Sequence, residues 1–419
     1  MDILIRKAVI TYPGSALNGQ VKDILIKNGI ISSITENCTD KVDTVIEQQG
    51  LHVSPGWVDV FAHFCDPGYE FKETLETGAN AAAAGGYTHV FVLPNTNPVV
   101  HSKSQTEYIR EKSRALPVNI HAIGAISKNA EGKELAEMYD MFSNGAIAFS
   151  DGLKPVQSSG VMLKALQYVK AFEGVVIQLP DDKSIGAHGL MNEGIVSTRL
   201  GLPGKPVISE EMMIARDIEL AAYAESKLHF TGISSKKSLQ HIQAAKQKGL
   251  QVTCSVTPLH LFFSDEDLLS YDTNLKSNPP LRTPEHRDAL LDAVKKGEID
   301  IIASHHYPQE WDSKTCEFEY AGYGAIALET AFGVAGSVGI NADRWVEMCA
   351  INARNIFGLQ AAEIKEQSIA DITLFNPSET FLFDQKNIQS KSKNSPFVGK
   401  SLKGKVIGVI NGDKLFLSS

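Results

Sequence analysis

Residues 53–93 read VSPGWVDVFAHFCDPGYEFKETLETGANAAAAGGYTHVFVL, and this stretch sets the architecture of the middle of the chain. The apolar run Val53–Val60 predicts a strand. Thr74–Ala84 predicts a helix that stops at Gly85-Gly86, and Thr88–Leu93 predicts a second strand. Strands that alternate with helical segments are typical of a parallel sheet. The stretch is therefore the first unit of an α/β fold.

The same alternation continues to about residue 303. Helical patterns such as Glu210–Ser226 and Pro284–Lys296 lie between most of the strand-like runs. Eight such units predict closure into a (β/α)8 TIM barrel, which typically takes about 250 residues. A doubly wound open sheet is the alternative, but no Gly-rich phosphate loop follows the first strand. The eight runs are Val53–Val60, Thr88–Leu93, Val118–Ile123, Ala146–Phe149, Gly174–Leu179, Leu228–Phe230, Gln251–Val256 and Ile299–Ala303.

Both ends of the chain are rich in strand patterns. Asn28-Gly29 lies between apolar residues and indicates a hairpin, and Asn411-Gly412 indicates another. We expect the two ends to meet in one small β-sandwich domain, with residues 1–53 and 363–419 flanking a barrel of residues 54–362. The strand-like segments are Asp2–Ile10, Asp23–Ile34, Ala370–Phe375, Lys405–Ile410 and Lys414–Leu417.

Composition narrows the functional classes. The formal net charge is −9 over 419 residues, and no Lys/Arg-rich stretch is dense enough to follow phosphates, which disfavours nucleic acid as a partner. Met1 leads directly into a strand pattern without a signal-peptide region, and no apolar run approaches the length of a membrane span. The odd number of scattered cysteines favours reduced thiols and a cytoplasmic protein. These are Cys38, Cys65, Cys254, Cys316 and Cys349.

Catalytic residues of a TIM barrel lie at the carboxyl ends of its strands. The side chains expected there follow the predicted strands along the chain. They are Phe61, His63, Cys65, Asp66, Asn95, Thr96, Asp151, Gln178, Gly232, His260, His305 and His306. Histidine and aspartate among them suggest a metal site, whereas phenylalanine and glycine do not.

Residues 55–68, PGWVDVFAHFCDPG, resemble the dihydroorotase signature PGxxDxHxHxRDPG. The resemblance extends over nearly the whole chain and is closest to dihydroorotases that associate with aspartate transcarbamoylase. It implies a metal-dependent cyclic amidohydrolase that interconverts dihydroorotate and N-carbamoyl-aspartate in pyrimidine synthesis. Further matching stretches are EFKET at 70–74, LPNTNP at 93–98, MNEG at 191–194, NPPLR at 278–282, ALET at 327–330 and SPFVG at 395–399.

The departures from the family pattern fall mostly at positions that bind metal, carry protons or bind substrate in the family. Of the family's metal ligands, the resemblance implies that only His63 and Asp151 remain. Ligand histidines are replaced by Phe61, Gln178 and Gly232, and the aspartate that binds metal and carries protons is replaced by His305. The arginine that binds the substrate carboxylate is Cys65, and the first histidine of a TPHHL stretch is Leu259. Family substrate-pocket positions are still matched by Asn95, Asn278, Arg282 and His306.

These replacements remove the hydrolytic machinery as the family builds it. A bound metal lowers the pKa of water from 15.7 to about 7, and catalytic zinc generally has at least three protein ligands. Phe61 and Gly232 offer no donor atom, and Cys65 cannot form the bidentate pair that arginine gives a carboxylate. We therefore expect no cofactor, and zinc if any metal is bound.

Several alternatives remain open at this point. His63, Asp151 and His305 together could hold one metal, or they could be hydrogen-bonded remnants in a pocket. Cys65 beside His63 could be an activated thiol, although no third orienting group is evident. The matched substrate-pocket residues could bind a ligand or only brace loops, and His188, His229 and His260 are interpreted as ordinary polar or core histidines.

The leading interpretation is a catalytically inactive dihydroorotase homologue with a structural or regulatory role. By resemblance, its partner could be aspartate transcarbamoylase or an active dihydroorotase, and the chain could form a homo-oligomer. A working dihydroorotase with a rearranged mononuclear site is the alternative. A third hypothesis is a sensor that binds a small pyrimidine-pathway ligand, because function resides in the site and not in the fold.

Overall fold

A computed structural model describes residues 1–418 of the chain. Within them, eight parallel strands form the wall of a barrel in chain order, each paired with its neighbours in sequence. The predicted (β/α)8 architecture is confirmed. From the first barrel strand to the eighth they are Trp57–Ala62, Tyr87–Val92, Asn119–Gly124, Ala148–Phe149, Val175–Gln178, Lys227–Phe230, Val252–Val256 and Ile301–Ile302.

The first and eighth barrel strands are joined by hydrogen bonds that lie outside the regular strand pairing. The His63 amide donates to the His306 carbonyl at 2.8 Å. The Asp59 carboxylate accepts the Ser304 amide at 2.6 Å and the Ser304 hydroxyl at 2.9 Å. Asp59 is fully buried, so these bonds satisfy a carboxylate that water cannot reach.

Helices surround the barrel and connect its strands. Pro284–Lys296 forms a helix with the predicted bounds, and the predicted Glu210–Ser226 helix is shifted two residues toward the N-terminus. The α-helices are Leu75–Ala84, Lys103–Ser113, Met138–Ser143, Ser159–Lys170, Lys183–Gly186, Ile195–Leu200, Ile208–Ala224, Lys236–Gln247, Pro258–Phe262, Pro284–Lys296, Ala331–Ser337, Ala342–Val346 and Ala353–Phe357, with a π-helical turn at Glu347–Asn352. Short 3-10 turns occur at Lys128–Ala130, Asp265–Ser270, Thr273–Leu275 and Gln385–Asn387. Among the described residues, none of the helices combines the length and apolar composition that a membrane span requires.

Strands from both chain ends form one sheet, as the fold prediction requires. Asn28 and Gly29 both have positive φ and make the predicted hairpin turn. The buried isoleucines of the two ends share one core, which confirms the small β-sandwich domain. Its strands in the described residues are Asp2–Ile10, Val21–Lys27, Ile30–Thr35, Thr44–Ile46, His52–Pro55, Asp371–Leu382, Ser401–Asn411 and Lys414–Leu417.

The prediction of one strand over Val53–Val60 is wrong. The run is two strands, His52–Pro55 in the β-sandwich domain and Trp57–Ala62 in the barrel. The chain passes between them at Gly56, where an added Cβ would lie 2.0 Å from the Asp371 carboxylate. Only glycine permits so close an approach. The Pro55-Gly56 pair marks the end of the first strand, although the apolar pattern continues through it. The domain boundaries at residues 53/54 and 362/363 stay a prediction.

Helix Leu75–Ala84 begins at a capped threonine. The Thr74 hydroxyl accepts the Thr77 amide at 3.1 Å, and the Thr77 hydroxyl accepts the Thr74 amide at 3.1 Å. Thr74→Ala removes the first of these bonds, so we expect it to lower the free energy of unfolding by about 1 kcal/mol. Chemical denaturation measures the change, with Lys103→Ala at an exposed position as the control. Equal stability of the two variants would contradict the capping role.

Candidate functional site

A cavity of about 470 Å³ opens at the carboxyl ends of the barrel strands. Its volume lies in the range of small-molecule sites. The residues predicted at the barrel mouth or in the substrate pocket that line it are Phe61, His260, Asn278, His305 and His306. The remaining predicted residues do not line it. Other side chains at its wall are Lys72, Leu93, Leu153, Thr257, Leu259, Tyr307, Gln309, Ser313, Tyr320 and Tyr323.

His63 is buried, and both of its ring nitrogens are engaged by the backbone. Nδ1 accepts the Cys65 amide at 2.9 Å, which leaves the proton on Nε2 for the Asn95 carbonyl at 3.1 Å. The ring stacks on Tyr307 with centroids 5.2 Å apart. Burial lowers the pKa of His63 to about 4, so the ring is neutral at pH 7. No lone pair of this imidazole is left for a metal.

Each carboxylate oxygen of Asp151 accepts a hydrogen bond from Ser127. Its Oδ1 accepts the Ser127 amide at 2.9 Å, and its Oδ2 accepts the Ser127 hydroxyl. Burial raises the pKa of this carboxyl, although the bonds from Ser127 oppose the increase. Asn95 braces the same loop, since its amide donates to the Asp151 carbonyl at 3.0 Å and its oxygen accepts the Leu153 amide at 2.8 Å.

Gln178 points away from the cavity into the surrounding helices. Its amide donates to Asp217 Oδ2 at 3.1 Å and to the Val156 carbonyl at 3.3 Å. Its oxygen accepts the Val156 amide at 3.4 Å. Arg216 holds the other oxygen of Asp217 at 2.8 Å. The glutamine thus connects the fifth barrel strand to helix Ile208–Ala224.

Gly232 and His305 lie so close together that no room is left for a side chain at position 232. Gly232 has a φ of +66°, and a Cβ there would lie 2.6 Å from His305 Cε1. The imidazole also packs on Phe61 with ring centroids 4.5 Å apart. A histidine at position 232 would require the ring of His305 to move. The replacements at positions 61, 232 and 305 therefore form one packed unit.

A chain of side-chain hydrogen bonds runs from His305 into the barrel core. Its Nε2 lies 2.7 Å from the Thr231 hydroxyl, which accepts from Ser255 at 2.9 Å. Ser255 is in turn 3.0 Å from His229 Nε2, and His229 Nδ1 is 2.9 Å from Thr253. Burial lowers the pKa values of His305 and His229 to about 3. His229 is thus a neutral core histidine with both nitrogens bonded.

His306 is buried beside a buried carboxylate. Its Nδ1 accepts the Ala327 amide at 3.3 Å, and its Nε2 has no hydrogen-bond partner among residues 1–418 but lies 3.5 Å from Glu73. Burial alone would raise the pKa of Glu73, but His306 and the hydroxyls of Ser390 and Thr77 lower it overall. The pair fixes His306 in the wall of the cavity.

Cys65 and His260 offer little reactivity. Burial raises the pKa of the Cys65 thiol, so it stays protonated at neutral pH and is a poor nucleophile. His260 donates from Nε2 to the Pro279 carbonyl at 3.1 Å and accepts the Thr257 hydroxyl at 2.7 Å. Burial lowers its pKa to about 4.

Asn278 and Arg282 belong to a polar cluster beside the cavity. Asn278 accepts from Lys205 at 2.7 Å, and Lys205 also pairs with Asp181 at 2.6 Å. The buried Arg282 donates to Asn192 and Ser234, each at 3.0 Å. These bonds occupy the Arg282 guanidinium with protein groups. A ligand role for Asn95, Asn278, Arg282, His306 or Cys65 stays a prediction.

Comparison with known proteins now defines the family. Residues 50–238 match the family model described as dihydro-orotase-like. A dihydroorotase of Syntrophus aciditrophicus is 38% identical over 414 residues, covering 97% of each chain. A dihydroorotase of a Thermoanaerobacter species is 40% identical over 390 residues, covering 92% of this chain and 90% of the relative. The chain belongs to the dihydroorotase family.

Solved structures support the same fold at greater distance. The L-hydantoinase of Arthrobacter aurescens superposes with a TM-score of 0.87 at 21% identity, covering 100% of this chain and 96% of the hydantoinase. A D-hydantoinase structure superposes with a TM-score of 0.84 at 20% identity, covering 100% of this chain and 95% of that chain. Identities this low establish the shared barrel architecture and nothing about substrate.

A dihydroorotase-type metal does not fit the residues present. Within residues 1–418, no group of three or more His, Cys, Asp or Glu side chains is arranged to hold a metal ion. Both ring nitrogens of His63 are engaged by the Cys65 amide and the Asn95 carbonyl, and each oxygen of Asp151 already accepts one hydrogen bond from Ser127. The single-metal hypothesis for His63, Asp151 and His305 would need at least one of the two His63 bonds to break.

The sequence did not indicate that the loop of residues 307–325 would line the cavity. Residues 307–325 supply Tyr307, Gln309, Ser313, Tyr320 and Tyr323 to its wall. No repeat or polarity pattern marks them, because a long loop folds back by contacts distant in sequence. Lys72 could have been predicted from the sequence, because it lies in the EFKET stretch that follows the first barrel strand.

Proposed function

We propose that this member of the dihydroorotase family does not carry out metal-dependent ring hydrolysis and serves instead as a structural or regulatory protein. The saturation of His63 supports this most directly. Its two nitrogens bond the Cys65 amide and the Asn95 carbonyl, so the one inherited imidazole ligand has no lone pair for a metal. The packing of His305 on Phe61 supports it further, because this ring fills the space beside Gly232.

Metal analysis and a ring-opening assay test this proposal together. The protein is purified, stripped with a chelator, reconstituted with zinc, and assayed with dihydroorotate for ring opening and with N-carbamoyl-aspartate for ring closure. The Syntrophus aciditrophicus relative, treated identically, is the positive control. We expect bound zinc far below one equivalent and no turnover above a protein-free blank. About one equivalent of zinc with turnover that a chelator abolishes would establish the mononuclear alternative and overturn the proposal.

A protein partner is the second part of the proposal. An inactive homologue that keeps the whole scaffold is expected to act through association, with an active dihydroorotase, with aspartate transcarbamoylase, or with a second copy of itself. Light scattering reports self-association, and co-purification with each candidate enzyme reports the others. A shift in elution together with a changed rate of the partner enzyme would support the role. A monomer that leaves both enzymes unchanged would contradict it.

A further inference from the structure

We propose that the barrel-mouth cavity is a preformed, metal-free site for a small flat-ring anion, with Lys72 as the anchor of its anionic group. The inference rests on the proposed function, since it takes the cavity to be free of a catalytic metal. It adds a ligand class and the residues that would select it. The anionic group could be a carboxylate or a phosphate, and the experiment below separates the two.

The charge at the cavity wall is one-sided. Lys72 is the only lysine, arginine, aspartate or glutamate among the described residues that line the cavity. Its ammonium donates to the neutral Gln309 oxygen at 3.0 Å and makes no ion pair in the described part of the chain. The ammonium also lies 6.0 Å from the Tyr69 ring centre and 5.7 Å from the Phe71 ring centre. These contacts are with neutral groups, so the ammonium retains attraction for an anion.

The hydrogen-bond chain behind His305 turns that ring into a donor. Ser255 donates to the Thr231 oxygen, so the Thr231 proton is available for His305 Nε2. When Thr231 donates to Nε2, the neutral ring carries its own proton on Nδ1, which has no hydrogen-bond partner in residues 1–418. Because His305 lines the cavity, this N–H complements the ammonium of Lys72 as a second donor for an acceptor-rich ligand.

The walls favour a planar ring. Phe61 and the His305 ring pack together with centroids 4.5 Å apart and their planes tilted by 31°, and Tyr307, stacked on His63, supplies a second aromatic surface. Stacking against aromatic side chains contributes to the binding of many flat heterocycles. The cavity volume of about 470 Å³ accommodates such a ring with its substituents.

The roof of the cavity is fixed in place before any ligand arrives. Lys276 donates to the Phe318 and Glu319 carbonyls at 2.7 and 2.9 Å, and its ammonium lies 5.0 Å from the Tyr323 ring centre. Lys314 donates to the Gly322 carbonyl at 2.7 Å and to the Thr273 carbonyl at 2.9 Å. Two buried lysines thus hold the covering loop, so binding would not have to order it.

Calorimetry on the chelator-treated full chain tests the site with defined probes. The probes are orotate as a flat carboxylate, uridine 5′-monophosphate as a nucleotide, and uracil as a neutral ring. We expect at least one of the anions to bind and uracil to bind at least about tenfold more weakly, because a charge-assisted hydrogen bond is lost. Whichever anion binds more tightly identifies the group that Lys72 receives.

Three variants make the result specific. Lys72→Met is expected to weaken binding of the anion by at least about tenfold. Lys72→Arg retains the charge and should retain most of the affinity. Lys386→Met, at an exposed site remote from the cavity, removes the same charge and should leave binding unchanged. Failure of all three probes to bind, or equal binding by uracil or by Lys72→Met, would overturn the inference. Repeating the titration with zinc separates this result from the metal test, because zinc uptake with turnover would refute the proposed function whether or not Lys72 binds anions.

Discussion

Gly232→Ala is expected to lower the free energy of unfolding by about 2–4 kcal/mol, because two unfavourable effects act at one position. Gly232 has a φ of +66°, a conformation that costs an alanine about 1–2 kcal/mol. The added methyl group would also lie 2.6 Å from the His305 ring, which packs on Phe61 and cannot withdraw freely. Urea denaturation followed by fluorescence measures the loss.

Gly201→Ala is the matched control for the backbone effect. Gly201 has a φ of +68°, but an added Cβ would meet no atom within 4 Å. This variant should therefore lose only about 1–2 kcal/mol. In a His305→Ala background, Gly232→Ala should fall to the same cost, since the ring it meets is gone. Equal losses at positions 232 and 201 in the wild-type background would contradict the steric coupling.

The coupling links two positions at which the resemblance implies replaced metal ligands. A side chain at position 232 and the ring of His305 exclude one another in the observed packing. The change at one position therefore restricts what the other can accept. Restoring a histidine at 232 alone would be destabilising, whereas restoring it together with His305→Asp would relieve the contact. Because Phe61, Gly232 and His305 pack against one another, the effects of substitutions at these positions should not be additive.

Local patterns predicted most of the fold from the sequence. Helix Pro284–Lys296 has its predicted bounds because proline at its start and glycine after its end are strong signals. The hairpin at Asn28-Gly29 follows from the positive φ that both residues adopt readily. The break at Gly56 escaped prediction, because its cause is the approach of Asp371, more than 300 residues away in the sequence.

The sequence predicted some of the residues that line the cavity, but not the orientation of the other side chains near it. The sequence placed Asn95, Arg282 and Gln178 near the barrel mouth, yet each bonds protein groups outside the cavity. The direction of a side chain depends on partners such as Ser234 and Asp217, which no spacing rule connects to it. The anchor Lys72 belonged to a matched motif, but its isolation from carboxylates is a tertiary property.

Asp371→Asn is expected to cost about 3–5 kcal/mol, because it leaves a buried guanidinium without its counter-charge. Asp371 begins a strand of the β-sandwich domain and accepts Arg354 at 2.7 Å, while His89 of the second barrel strand lies 3.1 Å from the same oxygen. The Arg354 side chain is only 4% exposed, so water cannot replace the carboxylate. Asp40→Asn, which breaks an exposed pair with Lys27, is the control and should change stability little.

The loss should also depend on pH in a defined direction. Burial alone would raise the pKa of Asp371, but His89 and Arg354 outweigh it and hold that pKa well below its usual range. A carboxyl whose folded-state pKa is depressed stabilises the protein above its unfolded pKa of about 3.9 and loses that contribution as the pH falls toward the folded value. The stability difference between wild type and Asp371→Asn should therefore be constant from pH 7 to about pH 5 and shrink below about pH 4. Urea denaturation across this range measures it. A difference as large at pH 3 as at pH 7 would show that the carboxylate charge is not what joins the barrel to the β-sandwich domain.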